Sequence, residues 1–205
     1  VEQATAFFAD YNYTQALEVA ETFFWKTYCD NYLEIAKGRL YGEQGTAEEQ
    51  LSAKHALTLA HRIILGLFAP FTVNVTEELY SKLFAAEYAK EGSLHRRGNW
   101  PKASTLLLDE KALAEGDIII DALTAVRRMK AALKISMKAD MGTLEVAAGE
   151  NCPADAWQLM QPALADLANV THVAGITWHQ GEAAGEWHAS DSGKLKVRAT
   201  IAQAA

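Results

Sequence analysis

Residues 46–68 read TAEEQLSAKHALTLAHRIILGLF and predict the main helix of the fold. Thr46 and Glu49 have the spacing of a capping box, in which a hydroxyl and a carboxylate satisfy N–H groups at the first turn. Apolar residues then recur at steps of four and three, which is typical of a seam between packed helices. The seam residues are Ala53, Leu57, Ala60, Ile64 and Leu67. The pattern predicts a helix that ends before Pro70 and packs within an antiparallel helical bundle.

The segment before this helix carries a second helical pattern. Between Thr14 and Tyr41, apolar residues recur at steps of three and four, which predicts one buried helix face. Thr14 is the predicted N-cap, and Gly42 and Gly45 are stop signals. The residues assigned to the buried face are Trp25, Cys29, Tyr32 or Leu33, Ala36 and Leu40. Residues 1–9 are interpreted as the end of an earlier helix.

Two more helices are predicted between Pro70 and Met141. One begins near Thr76, whose hydroxyl can act as the cap. A segment rich in Gly and Pro at 91–104 is interpreted as a linker. Beyond it, a long helix runs from about Asp117 and carries many basic side chains. These are Arg127, Arg128, Lys130, Lys134 and Lys138.

After Met141 the hydrophobic period changes from helical to two, which indicates strands. Strands are predicted at 143–147, 170–178 and 194–201, and a helix at 155–168. The segment 185–189 can pair with the last strand through the turn at 190–193. The predicted fold is therefore mainly α: a helical bundle at 1–104, a long basic connecting helix at 105–140, and a small α+β module at 141–205.

Charge and cysteine content limit the classes of function. A net charge of −7 argues against a surface that binds nucleic acid everywhere, so any such contact must be local. Residues 101–140, with 7 basic and 6 acidic side chains, are the least acidic part. Cys29 and Cys152 lie far apart, unlike a disulfide framework, and favour a cytoplasmic, reducing environment. No apolar run long enough to span a membrane is found, so no membrane partner is expected.

The residues give no support for a catalytic or metal site. His55 and His61 are six apart, which does not place them on one helix face, and no cysteine pair has zinc spacing. Ser190 and Asp191 near His188 lack a nucleophile elbow, and no Gly-rich phosphate loop follows a strand. We expect no catalytic residue, no bound metal and no cofactor in this chain.

Two stretches together resemble one known family. Residues 24–41 read FWKTYCDNYLEIAKGRLY, and residues 67–80 read LFAPFTVNVTEELY. They resemble the anticodon-binding helical domain of class I aminoacyl-tRNA synthetases, and most closely that of valyl-tRNA synthetases. Ser93-Leu94-His95, Trp100-Pro101 and the run at 125–130 match later segments of that domain. The chain departs from the family at Gly38 and Val73, where Pro is usual, and nothing after Ala168 forms the coiled-coil arm of many bacterial members.

The resemblance implies a function that the chain alone cannot complete. The family's nucleotide-binding signatures are missing, so the chain is expected to be a C-terminal piece that does not activate valine. The N-terminus, which lacks an initiator Met and a signal peptide, fits this expectation. The parent enzyme would join valine to its tRNA with ATP and Mg²⁺ in a separate catalytic domain. The expected partners are valine-specific tRNA and that catalytic domain, and the chain is expected to be a monomer.

Candidate tRNA-binding residues follow from the resemblance and from residue type. The end of the first long helix approaches the anticodon loop in related synthetases, and valine anticodons share A and C at their second and third positions. Unpaired bases can be bound by an aromatic face together with Arg or Lys. The candidates for the anticodon are Lys37, Arg39 and Tyr41, with Tyr11 and Asn12 as a second group. The candidates for the tRNA backbone are Arg127, Arg128, Lys130, Lys134, Arg96 and Arg97.

Several alternatives stay open at this point. The domain could belong to an isoleucyl or leucyl enzyme, or the chain could be an autonomous helical protein-interaction module. The basic residues of the long helix could form an ordinary solvated face. In the same way, Arg39 could interact with helix-terminal carbonyls, and Tyr41 could pack under the Gly-rich turn.

Overall fold

A computed structural model describes residues 1–96, 99–103, 108–180 and 185–201. By its internal contacts the chain divides into two units, 1–34 with 45–108 and 35–44 with 109–205. The first unit is helical, and the second combines helices with a four-stranded sheet. The predicted fold class, a helical bundle followed by an α+β module, is confirmed. None of the helices in the described ranges combines the length and apolarity needed to cross a membrane.

The helical elements are numbered in chain order. They are α1 (Glu2–Ala9), α2 (Tyr13–Thr22), a π-helical segment (Phe23–Leu33), α3 (Glu34–Leu40), α4 (Ala47–Phe68), α5 (Val73–Leu83), α6 (Ala85–Glu91), α7 (Glu110–Ala132), α8 (Ala156–Met160), a 3₁₀ turn (Gln161–Ala163) and α9 (Leu164–Thr171).

Helix α4 forms as its sequence predicts. The Glu49 carboxylate accepts from the Thr46 N–H at 2.7 Å, and the Thr46 hydroxyl accepts from the Glu49 N–H at 3.2 Å. Both halves of the capping box are therefore present. Ala53, Ile64 and Leu67 of the predicted seam are buried, and the remaining seam residues are half-buried. The hydrophobic seam of α4 is confirmed.

The predicted core face of residues 14–41 is wrong for Trp25. Its side chain is 58% exposed, whereas Tyr28 is buried and Phe24 packs against Phe68 with ring centroids 5.6 Å apart. The cause is the winding of Phe23–Leu33, which is π-helical rather than α-helical. A π-helix closes its hydrogen bonds between residues i and i+5, so α-helical spacing no longer marks one face. The rings of Phe24, Tyr28 and Tyr32 stack along the segment instead.

Two predicted helix caps are also wrong. Asn12 caps α2 through its side-chain oxygen, which accepts from the Gln15 N–H at 3.3 Å, so the helix begins before Thr14. Helix α5 begins at Val73, and the hydroxyl of Thr76 donates to the Thr72 carbonyl inside the first turn. A hydroxyl in the first turn of a helix can cap the helix end or donate to a carbonyl one turn back, and residue spacing alone does not distinguish the two.

Within the residues of unit 1 that the structure describes, buried side chains form two clusters. One joins α4 to α5, α6 and the following loop through Leu65, Ala69, Tyr80, Phe84 and Leu94. The other joins α1, α2 and α4 through Ala4, Ala20 and Leu67. Trp100 packs beside the second cluster and donates from its indole nitrogen to the Thr5 hydroxyl at 2.8 Å.

Unit 2 is built on a mixed sheet. Its strands are β1 (Met141–Ala148), β2 (Val173–Trp178), β3 (His188–Ala189) and β4 (Leu195–Ile201), in the order β2-β1-β4-β3. β1 pairs with β2 in parallel and with β4 antiparallel. The predicted hairpin of β3 with β4 is confirmed. Helix α7, which starts at Glu110 after the N-cap Asp109, contributes to the core of this unit.

The core of unit 2 lies between the sheet and its helices. It contains Leu144 and Val146 of β1, Leu195 and Val197 of β4, and the apolar face of α7. The predicted helix at 155–168 is interrupted by the 3₁₀ turn at Pro162, whose ring removes a helical N–H. Helix α9 ends at Thr171, and its C-cap His172 adopts a left-handed conformation with φ 56°.

Candidate nucleic-acid interface

The end of α3 is closed by a returning loop. The carbonyl of Gly38 accepts from the N–H groups of Glu43 and Gln44 at 2.9 and 3.3 Å. The loop contains Gly42 and Gly45 at φ 71° and 79°, a conformation that glycine adopts without steric cost. The sequence prediction that these glycines stop the helix is confirmed. The loop brings Gln44 back beside the helix that it has just left.

Arg39 is held by a carboxylate of α9. Its Nε donates to Oδ1 of Asp166 at 2.8 Å, and its Nη2 donates to Oδ2 of the same residue. Nη2 also donates to the carbonyl of Pro162 at 3.3 Å. Gln44 donates from Nε2 to Oδ1 of Asp166 at 2.5 Å. The Asp166 side chain is 5% exposed, so this fork lies at the edge of the interior of unit 2.

Lys37 and Tyr41 lie on the solvent side of the same segment. The Lys37 side chain is exposed, and Tyr41 is 73% exposed directly after the end of α3. The Tyr41 N–H donates to the Lys37 carbonyl at 3.0 Å, which fixes its backbone. The structure therefore brings Lys37, Arg39 and Tyr41 together at one helix end, with Arg39 bound to Asp166.

Tyr11 and Asn12 form the turn between α1 and α2 in unit 1. Tyr11 has φ 57° and is 80% exposed, and its ring lies edge-on to Tyr13 with centroids 6.4 Å apart. The Asn12 side-chain oxygen is occupied as the cap of α2. The turn thus presents an aromatic ring to solvent on a backbone that the cap holds in place.

The basic residues of α7 do not share one face. Lys130 is 1% exposed, and its ammonium donates to the carbonyls of Met137, Ala139 and Thr171 at 2.8, 2.8 and 2.9 Å. Burial lowers the pKa of Lys130, against the opposing effect of the Asp140 carboxylate. These three hydrogen bonds hold the loop after α7 and the end of α9 against α7.

The other basic candidates are nearer to solvent. Arg128 is exposed and forms an ion pair with Asp191, Arg127 is half-buried, and Lys134 is exposed with φ 57° after the end of α7. In unit 1, Arg96 is exposed and donates from Nη1 to the Glu91 carbonyl at 3.2 Å. Arg97 lies outside the described residues. Within the described ranges, no three His, Cys, Asp or Glu side chains are placed to hold a metal ion.

Sequence reasoning missed an open pocket of mixed polar and apolar lining beside the end of α3. It has a volume of about 530 Å³ and is lined by Gln44, Asp140, Asn169 and His172 together with apolar residues of α9, β1 and β2. Nothing in the local patterns points to these residues. Asp166 and Asn169 lie on a helix more than a hundred residues away, and Gln44 follows an ordinary glycine turn.

Comparison with known proteins shows which family the chain is similar to in sequence. Residues 1–148 match the model for the anticodon-binding domain of tRNA ligase. A valine–tRNA ligase of Wolbachia sp. subsp. Brugia malayi is 38% identical over 185 residues, which are 90% of this chain and 21% of that protein. Those of Ehrlichia ruminantium (strain Gardel) and Rickettsia felis are 41% and 38% identical over 67% and 89% of this chain, and 16% and 20% of those proteins. The chain thus spans about a fifth of the length of these curated relatives.

Proposed function

Because the chain belongs to the family of anticodon-binding domains of tRNA ligases, we propose that it holds the anticodon limb of tRNA within a valine–tRNA ligase. The family match over residues 1–148 is the observation that carries this proposal. The relatives are named for valine, which favours valine over the isoleucine and leucine alternatives.

The complete reaction belongs to a longer protein in this proposal. The relatives are more than four times as long as the chain, and the chain lacks the nucleotide-binding signatures of the family. The remaining part of the parent enzyme would bind ATP and Mg²⁺ and join valine to tRNA. The chain itself would bind tRNA without activating valine, as part of a monomeric, cytoplasmic enzyme.

Two exposed aromatic residues are the proposed contacts for unpaired anticodon-loop bases. Tyr41 and Tyr11 are each more than 70% exposed and are presented by hydrogen-bonded turns. A tyrosine ring on a fixed backbone stacks on a base without a large loss of conformational freedom. Lys37 is exposed next to Tyr41 and would contact a neighbouring phosphate. Asn12 would position Tyr11, and Arg39 would position the α3 end through Asp166.

The tRNA backbone is the proposed partner of the exposed basic side chains. Arg127, Arg128 and Lys134 lie at the C-terminal end of α7, and Arg96 lies in unit 1. Such contacts hold the nucleic acid through its phosphates without reading its sequence. The Lys130 ammonium, which is used by three carbonyls, would support this helix end from inside.

The test is binding of a fluorescein-labelled anticodon stem-loop RNA to the 205-residue chain, measured by anisotropy. We expect binding to the stem-loop with the valine anticodon and weaker binding to isoleucine and leucine stem-loops. A second measurement, valine-dependent exchange of pyrophosphate into ATP, should give no signal above the buffer. Equal failure to bind all three RNAs would contradict the proposal and favour the protein-interaction module. Exchange activity from clean protein would contradict the absence of a catalytic site.

A further inference from the structure

The basic side chains of residues 141–205 are collected on one strand of the sheet. This segment contains three basic and seven acidic residues. The three basic residues are Lys194, Lys196 and Arg198. They alternate with Leu195 and Val197 of β4, which are fully buried in the core between the sheet and its helices. Because successive side chains of a strand point to opposite faces, the basic ones lie on the face turned away from that core, called the outer sheet face below.

Trp187 joins the basic side chains on the outer sheet face. The pairing of His188 with Val197 in the β3–β4 hairpin places the preceding residue, Trp187, opposite Arg198. The guanidinium carbon of Arg198 lies 4.7 Å from the centroid of the indole ring, and the ammonium nitrogen of Lys196 lies 6.0 Å from it. Both distances are typical of cation–π contacts. The outer sheet face therefore holds two cations against one aromatic ring.

Glu145 and His179 hold this cluster in place. The Glu145 carboxylate accepts from Nη2 of Arg198 at 2.8 Å and lies 3.4 Å from Nδ1 of His179. The His179 ring lies 5.3 Å from the Trp187 ring, measured between centroids. The side chains of Arg198, Glu145 and His179 are 35%, 31% and 25% exposed, so a ligand can reach them. Because the cluster is already ordered, binding costs little side-chain entropy.

Single-stranded RNA is the partner whose chemistry this face fits. Unpaired bases stack on aromatic rings and on guanidinium planes, while Lys and Arg contact the phosphates. Within the described part of the chain, Lys196 makes no ion pair, whereas the Glu145 carboxylate is matched by Arg198. The charge that remains on the face is therefore positive, in a segment that is otherwise acidic. An acidic peptide would use the cations but would bring no ring to stack on the indole.

We propose that the outer sheet face, defined by Trp187, Lys196 and Arg198, binds single-stranded RNA through base stacking and phosphate contacts without reading its sequence. These three residues lie beyond residues 1–148, which match the model of the anticodon-binding domain. The inference thus goes beyond the proposed function, because it places a second RNA contact in unit 2 that does not depend on an anticodon.

The test is binding of a labelled oligouridine of about ten nucleotides, a length that single-strand sites cover, to the full 205-residue chain. Fluorescence anisotropy measures the affinity at several salt concentrations. Trp187→Ala should weaken binding by about 5- to 150-fold through loss of one stacking contact, and Trp187→Phe should retain most of the affinity because a phenyl ring still stacks. Lys196→Gln should lower the slope of log affinity against log salt by about 0.7, the value for one phosphate contact on a single strand.

Two matched controls change the same residue types elsewhere. Trp25→Ala removes a tryptophan that is 58% exposed in unit 1, and Lys138→Gln removes an exposed lysine of unit 2. Both should bind oligouridine as the wild type does, and thermal melting should show that every variant is folded. Wild-type affinity and salt slope in both Trp187→Ala and Lys196→Gln would overturn the assignment to this face.

The valine stem-loop separates this inference from the proposed function. If wild-type protein binds the stem-loop but not oligouridine, the inference is overturned and the proposed function stands. If it binds oligouridine but no stem-loop, the proposed function is overturned and the inference is supported, provided that the Trp187 and Lys196 variants lose binding as expected. Displacement of oligouridine by polyglutamate at equal charge concentration would identify a surface for acidic peptides and overturn the RNA assignment.

Discussion

Lys130 is of a residue type that contacts nucleic acid, yet its side chain stabilises the interior of unit 2. Its three donated hydrogen bonds match the three N–H groups of an ammonium, so the buried charge is fully solvated by carbonyls. The sequence places it in a basic run and gives no sign of this role. Whether a lysine on a helix is turned inward depends on the carbonyls that a later loop and helix bring to it.

We expect Lys130→Met to lower the free energy of unfolding by about 3 kcal/mol, because three buried carbonyls lose their donor. Urea denaturation followed by circular dichroism measures this change. Lys138→Met, at an exposed position of the same loop, is the control and should change stability by less than about 0.5 kcal/mol. Equal stability of the two variants would show that the Lys130 hydrogen bonds contribute little.

Tyr41 is the residue on which the proposed anticodon contact depends most directly. Tyr41→Ala should weaken binding of the valine stem-loop by about 5- to 150-fold, which corresponds to stacking of one base on one aromatic ring. The melting temperature of the Tyr41→Ala variant should equal that of the wild type, because the Tyr41 side chain is 73% exposed. Leu51→Ala, at an apolar residue that is 68% exposed on α4, should leave both quantities unchanged. Unaltered affinity of the Tyr41 variant would place the stacking contact elsewhere.

Glu145 on β1 gives the unit 2 sheet a dependence on pH. Its pKa is lowered chiefly by the hydrogen bond from Arg198 at 2.8 Å, and His179 lies 3.4 Å away. A carboxyl whose folded pKa is lowered stabilises the protein above its unfolded pKa of about 4.3, and this contribution is lost as the pH falls further. Glu145→Gln should therefore be less stable than wild type at pH 7 and equally stable at the acid end of the transition. Glu150→Gln, at an exposed position, should parallel the wild type over the whole range.

Among the elements, the capping box of α4 is the most direct link from sequence to structure. Thr46→Ala should cost about 1 kcal/mol, because it removes the acceptor for the Glu49 N–H at an exposed helix end. The control is Thr58→Ala within the same helix, where the hydroxyl donates only to the Lys54 carbonyl one turn back. We expect that control to be neutral or slightly stabilising, since alanine favours the helix. A neutral effect at Thr46 would mean that solvent replaces the cap at no cost.

Elements marked by a strong local sequence pattern could be predicted, whereas elements that depend on how a helix is wound could not. Short-range sequence patterns predicted the capping box and the seam of α4, the glycine stops after α3 and the β3–β4 hairpin. The π-helical segment was missed, because its residues have an ordinary helical composition and its wider turn becomes visible only in the exposure of Trp25. The break at Pro162 was missed because the apolar spacing continues across it.

At the scale of the whole molecule, a net charge of −7 makes any RNA contact depend on a few cations. If Arg127 and Arg128 each contact a phosphate, the double variant Arg127→Gln/Arg128→Gln should lower the slope of log affinity against log salt by about two. Binding should weaken equally for cognate and non-cognate stem-loops, because phosphate contacts carry no sequence information. A salt dependence identical to wild type would assign these residues to a solvated helix face.

The candidate pocket depends on contacts between distant parts of the chain, which sequence patterns do not predict. Lys37, Arg39 and Tyr41 could be selected because they are neighbours in the chain and of suitable chemical type. Asp166 lies 127 positions after Arg39 and 122 after Gln44, and a local pattern contains no information on such a pairing. The spacing rules for helices and strands describe faces and ends, whereas this pocket arises where two distant segments meet within unit 2.

That separation also imposes an order on biosynthesis. Residues 35–44 are translated inside the stretch that builds unit 1, yet their partners are the helices and strands of 109–205. At typical ribosomal speeds, Asp166 is made roughly 6 to 25 seconds after Arg39. During that interval the ribosome first makes residues 45–108, so all of unit 1 is synthesised before Asp166. A translational pause between residues 109 and 166 would therefore delay the folding of unit 2 but not the synthesis of unit 1, although residues 35–44 of unit 2 lie early in the chain.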